Sequence, residues 1–149
     1  MNIEIKKVND KNLENILELR INENQNSYIE STEECLKEAE ECKLYEPVGL
    51  YIDGILVGFA MYGFFPREGK GGRVWLDRFL IDKKYQGEGI GSIMLDNLIK
   101  YLANKYKCNK IFLSLYENNT GALHLYKKFG FEFNGELDIN GEKVMVKKL

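Results

Sequence analysis

Gln86-Gly87-Glu88-Gly89-Ile90-Gly91-Ser92 is the stretch on which the reading of this chain turns. Before it runs Arg73-Val74-Trp75-Leu76-Asp77-Arg78-Phe79-Leu80-Ile81, with apolar side chains on both faces, as a central strand requires. After it, Met94, Leu95, Leu98, Ile99 and Leu102 recur at helical spacing. A helix start carries unpaired backbone N–H groups and a partial positive charge. Glycines let that backbone approach an anion with no Cβ in the way. Residues 86–92 are therefore a candidate phosphate cradle. The plainer alternative is a strand-to-helix turn that holds three glycines.

Two familiar cradles are excluded. A Walker A loop ends in Gly-Lys-Ser/Thr, and no such tripeptide occurs. A dinucleotide fingerprint needs a third glycine where Ser92 stands. It also expects an acidic residue about 20 positions on, where the chain reads Lys110-Ile111-Phe112.

Outward from the turn, the other elements follow from pattern. Ile3, Ile5 and Val8 predict a first strand. Asn9 or Asp10 caps a helix carrying Leu13, Ile16, Leu17 and Arg20. A loop covers residues 22–28. Ser31 and Glu34 have capping-box spacing and open a second helix, with Cys35, Leu36, Ala39 and Cys42 on one face. Asp53-Gly54 between the runs 48–52 and 55–62 predicts a hairpin. Residues 66–72 form a loop. Residues 111–116 predict a strand, and Asn119 or Thr120 caps a helix through Ala122, Leu123, Tyr126 and Phe129. Gly130 suits the left-handed position at its end. Two last strands, 131–136 and 143–148, flank Asn140-Gly141. The order β-α-α-β-β-β-α-β-α-β-β implies one mixed α/β sheet with helices on both faces, in a single domain spanning 1–149.

Composition narrows the function. A hydrophobic fraction of 44 % supplies one core, and a formal net charge of -2 argues against a nucleic-acid partner. No unbroken apolar run reaches about 18 residues, so no membrane span is expected. Residues 1–8 are charged and alternating, unlike a signal peptide. The cysteines, Cys35, Cys42 and Cys108, are odd in number and match no zinc spacing, which predicts reduced thiols and a cytoplasmic setting. His124 is the only histidine, so a multi-histidine metal site is excluded and no metal is expected.

The six residues 86–91 match the pattern Q/R-x-x-G-x-G/A. With them go the strand Trp75-Leu76-Asp77-Arg78-Phe79-Leu80-Ile81-Asp82 and the segment 118–131, Asn-Asn-Thr-Gly-Ala-Leu-His-Leu-Tyr-Lys-Lys-Phe-Gly-Phe. These three blocks, in this order along the whole chain, resemble the GNAT N-acetyltransferases. Asp77 to Asp82, with Lys84-Tyr85-Gln86-Gly87, resembles their bacterial diamine, spermidine and spermine branch.

The resemblance implies a GNAT fold, a mixed and mostly antiparallel sheet of six to seven strands, splayed between the fourth and fifth. It implies acetyl-CoA as co-substrate, with direct transfer to a small-molecule amine in a ternary complex. The backbone of Phe79, Leu80 and Ile81 would pair with the acetyl and pantetheine amides. Gln86, Gly87, Glu88, Gly89, Ile90, Gly91 and Ser92 would hold the pyrophosphate. Asn119 would reach the pantetheine arm, and Tyr126 would aim its hydroxyl at the sulfur. The loop between the first two helices borders the acceptor site in this family, which makes Glu23 an ammonium partner. Family members are often dimers, so a homodimer is also expected.

The chemistry suits these roles. An amine attacks only when unprotonated, and a lysine-like amine has a pKa of about 10.4. A proton acceptor is needed, an aimed N–H can stabilise the oxyanion, and the thiolate gains from a proton donor. Asp77 is the acceptor candidate, through water, in the apolar company of Trp75 and Phe79 on one strand face. Its alternative is a structural pairing with Arg73 or Arg78. Tyr126 without the resemblance reads as a core tyrosine. His124 reads as a surface or packing residue, and Cys108 as a small apolar one. Glu30, Glu33, Glu34, Glu38, Glu40, Glu41 and Glu46 either steer a polycation or form a solvated helix face. Two competing functions stay open: acetylation of another amine, such as an aminoglycoside or a protein N-terminus, and acyl-CoA sensing without catalysis.

Overall fold

The computed structural model describes residues 1–21 and 31–149, so the loop at 22–28 and Glu23 lie outside the described residues. Strands β1 (Ile3–Lys7), β2 (Tyr45–Ile52), β3 (Ile55–Phe65), β4 (Arg73–Ile81), β5 (Lys110–Leu115), β6 (Glu132–Leu137) and β7 (Lys143–Lys148) form one sheet, ordered β1-β2-β3-β4-β5-β7-β6. Helices α1 (Leu13–Leu17), α2 (Thr32–Glu41), α3 (Ile90–Tyr106) and α4 (Thr120–Lys128) connect them. The element order is the expected one. Neighbouring strands are antiparallel except β4 and β5, which run parallel.

Each face of the sheet has its own core. Met94, Leu95, Leu98, Ile99 and Leu102 of α3 pack with Val48, Leu50, Tyr62, Leu76, Ile111 and Met145 on one face. Ile16 and Leu19 of the α1 region and Cys35 of α2 pack with Phe59, Met61 and Leu80 on the other. Burying five large side chains of α3 supplies roughly 1.5–3 kcal/mol each, which anchors α3 beneath the centre of the sheet.

Helix starts follow local chemistry, with one difference. At α2, Ser31 Oγ accepts from Glu34 N–H at 3.2 Å, and the Glu34 carboxylate accepts from Ser31 N–H, completing the capping box. At α1 the N-cap is Asn12, not Asn9 or Asp10. The Asn9 side chain instead accepts from Lys11 N–H at 2.8 Å and Asn12 N–H at 3.1 Å, a turn that delays the helix. The helix also stops at Leu17, before Arg20, whose guanidinium donates back to the carbonyls of Leu17 and Leu19. A 3-10 turn, Lys83–Tyr85, that periodicity does not reveal links β4 to the glycine segment.

The register of β4 against β3 contains a bulge. Met61 opposes Arg78 and Tyr62 opposes Leu76, which leaves Asp77 as the extra residue. Side-chain parity flips there. Val74 and Leu76 face the α3 core before the bulge, and Phe79 and Ile81 face it afterwards. The alternation that put Trp75, Asp77 and Phe79 on one face is therefore corrected: Trp75 and Phe79 point to opposite faces. A strictly alternating reading cannot see one inserted residue.

The expected splay between the fourth and fifth strands is present. β4 and β5 share one register pair, Trp75 with Phe112. Beyond it, the stretch from Asp77 to Ile81 has no β5 partner, and the sheet opens into a slot.

Candidate active site

A cavity of about 700 Å³ fills the slot. Phe79, Leu80 and Ile81 form its β4 wall, and Asn119, Leu125 and Tyr126 its α4 wall. Backbone polar groups along an unpaired strand edge are obligatory hydrogen-bonding groups. The β4 wall can thus pair with an extended amide-bearing chain as an added strand would.

The glycine segment closes one end of the slot. The Gln86 side chain donates to Ile81 C=O at 2.8 Å and folds the segment back on β4. Gly87 (φ 83°) and Gly89 (φ 80°) adopt left-handed backbone, and a Cβ at either would meet nothing within 4 Å. Conformation, not crowding, is what calls for glycine there. Gly89 is the N-cap of α3 and offers no side-chain cap, and the first turn of α3 holds no acid. An uncapped 17-residue helix starting beside a cavity suits an anion. These features fit the pyrophosphate and pantetheine of a coenzyme A thioester. Gln86, Gly87 and Gly91 line the cavity; Glu88, Gly89, Ile90 and Ser92 do not. Ser92 Oγ instead accepts from Lys128 at 3.2 Å.

Helix α4 is positioned from both ends. Asn119 is its N-cap, accepting weakly from Ala122 N–H at 3.5 Å, so it both caps the helix and borders the cavity. At the other end Gly130 has φ 90°, Gly130 N–H donates to Lys127 C=O, and Phe131 N–H donates to Tyr126 C=O. This is a Schellman stop. Tyr126 also packs edge-on against Phe131, with ring centroids 5.8 Å apart. Burial raises the Tyr126 pKa, and the charge of Glu142 raises it further, so the phenol keeps its proton.

On the opposite side, Asp77 and Arg78 form an ion pair at 3.2 Å, and Arg78 also reaches Glu38 of α2 at 3.7 Å. The structural alternative stated for Asp77 is therefore present, with Arg78 as partner. Arg73 is occupied by Glu136 at 3.1 Å.

Two carboxylates that the sequence reading passed over complete the site. Asp138 and Glu142 flank the β6–β7 turn, and Glu142 lines the slot. A second groove of about 420 Å³ meets the slot at Asp77, Arg78, Ser114, Asn140 and Glu142. Glu38, Glu41 and Glu68 line it, with Tyr45, Phe65 and Trp75 among them. Within the acidic stretch, then, Glu38 and Glu41 face the groove and Glu34 the slot, whereas Glu46 pairs with Lys105. In sequence, Asp138 and Glu142 are two ordinary charges beside a hairpin glycine, and no spacing marks them. His124 is exposed on α4, and Cys108 is half-buried, its thiol pKa raised by burial.

Known proteins resemble this chain in sequence and in fold. The sequence profile of the Acetyltransferase (GNAT) family matches residues 13–131. A spermine/spermidine N(1)-acetyltransferase of Bacillus subtilis (strain 168) is 60 % identical over 152 aligned residues, covering 100 % of both chains. Among solved structures, the PaiA N-acetyltransferase of Thermoplasma acidophilum in complex with coenzyme A aligns over 100 % of both chains, with TM-score 0.69 and 21 % identity. An aminoglycoside acetyltransferase in complex with coenzyme A covers 99 % of this chain and 95 % of its own, with TM-score 0.79 and 18 % identity. The two structures share the fold with this chain.

Proposed function

The chain belongs to the GNAT acetyltransferase family, and from that premise we propose that it transfers an acetyl group from acetyl-CoA to a primary amine of a polyamine, in a ternary complex. The observation that carries the choice of amine is the acid-lined groove that opens into the slot at Asp77. A polyamine is a flexible chain of ammonium groups. It can thread the groove past Glu38, Glu41 and Glu68 while one end enters the slot. The full-length likeness to a spermine/spermidine acetyltransferase supports the same reading.

Residue roles follow. The β4 edge at Phe79, Leu80 and Ile81 pairs with the acetyl and pantetheine amides, and its N–H groups stabilise charge developing on the acetyl oxygen. Gly87, Gly89 and the N-terminus of α3 hold the pyrophosphate, with Gln86 fixing the turn and Glu88, Ile90, Gly91 and Ser92 completing it. Asn119 reaches the pantetheine arm. Acetyl-CoA, when bound, supplies an activated thioester. Tyr126 donates its phenolic proton to the departing sulfur; burial keeps that proton in place across the working pH range. Asp77, held by Arg78, sits where the groove enters the slot and orients the incoming ammonium group.

Action in the cytoplasm belongs to the same proposal and is supported by the thiols of Cys42 and Cys108, which form no disulfide among the described residues. So does a homodimer through the β6 edge, where Leu137 and Ile139 are exposed; light scattering tests it. Residues 1–149 act as one domain, in keeping with the single sheet that β1 through β7 share.

The test is free-thiol release from acetyl-CoA with a panel of spermine, spermidine, putrescine, aminoglycosides and peptide N-termini. Selective turnover of spermine and spermidine is expected. Turnover confined to aminoglycosides or peptides would replace the polyamine. Tight acetyl-CoA binding with no turnover on any amine would replace the enzyme with a sensor.

A further inference from the structure

We propose that Glu142, at the turn into β7, takes the proton from the attacking amine, with Asp138 as the residue that positions it. The proposal rests on the acetyl-transfer reading above and moves the proton acceptor away from Asp77, where the sequence reading put it.

The first observation is placement. The residues shared by slot and groove are Asp77, Arg78, Ser114, Asn140 and Glu142. Only three of them titrate or carry charge. Asp77 and Arg78 pair with one another at 3.2 Å, and Arg78 also pairs with Glu38. Glu142 forms no ion pair among the described residues, and its carboxyl bonds to that of Asp138. It is the acid at the junction without an ion-pair partner among the described residues.

The second observation is how the pair is held. Asp138 accepts from Asn140 N–H and Glu142 N–H at 2.9 Å each, and from Ser114 Oγ at 2.9 Å. Asp138 N–H donates to Glu142 C=O at 2.9 Å. Three donors on one carboxylate, plus a backbone bridge across the turn, fix the Asp138 carboxylate as a negative neighbour. A protonated Glu142 carboxyl can then donate to that carboxylate.

The third observation is charge. Burial, then Asp138, pushes the Glu142 pKa up to about 7; Asp77 raises it and Arg78 opposes. Tyr126 faces it from α4 and feels its charge. Beyond Arg78, on α2, stands Glu38, with Glu34 and Glu41 on the same helix. A base works best when its pKa lies near the operating pH, and Glu142 meets that condition.

The proton balance is complete. The Glu142 carboxylate takes one proton from the bound ammonium group and frees the nitrogen lone pair. The nitrogen bonds to the acetyl carbon, the C–S bond breaks with its electron pair on sulfur, and that sulfur takes the Tyr126 proton. The remaining excess proton on nitrogen returns through water to the Tyr126 oxygen. Glu142 then releases its proton to solvent, leaving an amide, a thiol and one proton per ammonium group consumed.

Glu142→Gln tests this. The amide can still donate to Asp138 as the protonated carboxyl does, so the turn should persist. We expect kcat/KM at pH 7 to fall about 10²-fold or more, the range of a lost general base. Acetyl-CoA affinity should change less than about twofold, well under 1 kcal/mol. The acid limb of the pH profile near pH 7 should disappear when variant and parent are compared with the same acceptor. Asp138→Asn should keep that limb but move it to lower pH, because it removes a charge that raises the Glu142 pKa. Retention of the limb in Glu142→Gln, or its loss in Asp77→Asn instead, would overturn the assignment. If spermine proves not to be the acceptor, the same profiles taken with whichever amine turns over still decide the role of Glu142.

Discussion

Tyr126 and Phe131 are tied twice across the end of α4: their rings meet edge-on at 5.8 Å, and Phe131 N–H donates to Tyr126 C=O at 3.0 Å. Neither contact uses the phenolic oxygen. The hydroxyl of Tyr126 is thus held at the slot by contacts that a phenylalanine would keep.

For Tyr126→Phe, turnover is expected to drop about 10²-fold, as when a positioned proton donor is lost. The dissociation constant for acetyl-CoA, from isothermal titration, should move by less than about twofold. Parallel loss of turnover and affinity would show that the hydroxyl binds rather than donates.

The glycine segment separates conformation from access. Gly89→Ala forces an alanine to φ 80° and should cost about 1 kcal/mol of stability together with acetyl-CoA affinity. Gly91 lies in the first turn of α3, and its Cβ would make ordinary contacts with Leu125 and Ile81 at 3.8 and 4.0 Å. Gly91→Ala should leave stability equal or raised by roughly 0.5 kcal/mol, yet weaken acetyl-CoA, because the new methyl faces the cradle. Thermal melts with and without acetyl-CoA distinguish the two.

Asp77→Asn removes one of the carboxylates that pair with Arg78, the one at the junction of slot and groove. A rise of about tenfold in KM for spermine is expected, the cost of roughly 1.4 kcal/mol for a lost charged contact, with a smaller change in kcat. Steady-state kinetics at several salt concentrations would show it, since a charge-steered substrate loses affinity as salt screens the groove.

Glu142 also makes stability depend on pH. Its folded pKa, about 7, lies above the ordinary 4.5. Between those values the native state binds more protons than the unfolded chain, so stability falls as pH rises through that window. The group is partly exposed, and solvent screening limits the effect to about 1 kcal/mol. Denaturant melts from pH 4.5 to 8 should show this fall, and Glu142→Gln should flatten it.

Much of the fold was legible because its signals are local. The Ser31–Glu34 capping box, the Asp53-Gly54 hairpin, the Gly130 stop and the buried stripe of α3 each depend on neighbours within a few residues. The start of α1 lies at Asn12 because Asn9 and Asn12 cap one another, Asn9 Oδ1 accepting from Asn12 N–H and Asn12 Oδ1 from Asn9 N–H, and propensity ranks the two alike. The bulge at Asp77 was invisible because it is a mismatch of register between two strands, not a property of one.

The sequence by itself determined the order of elements, the glycine turn between β4 and α3, and the cap residues that place Asn119 and Tyr126 on α4, since each follows from backbone conformation and short-range hydrogen bonding. The tertiary structure alone decided that β4 and β5 part after Trp75 and Phe112, that Asp77 pairs with Arg78, and that a carboxyl from the β6–β7 turn meets both. Glu142 lies 65 positions along the chain from Asp77. Only the folding of the sheet, with β7 inserted between β5 and β6, brings a hairpin charge to the mouth of the slot, where burial first and the Asp138 carboxyl second raise its pKa.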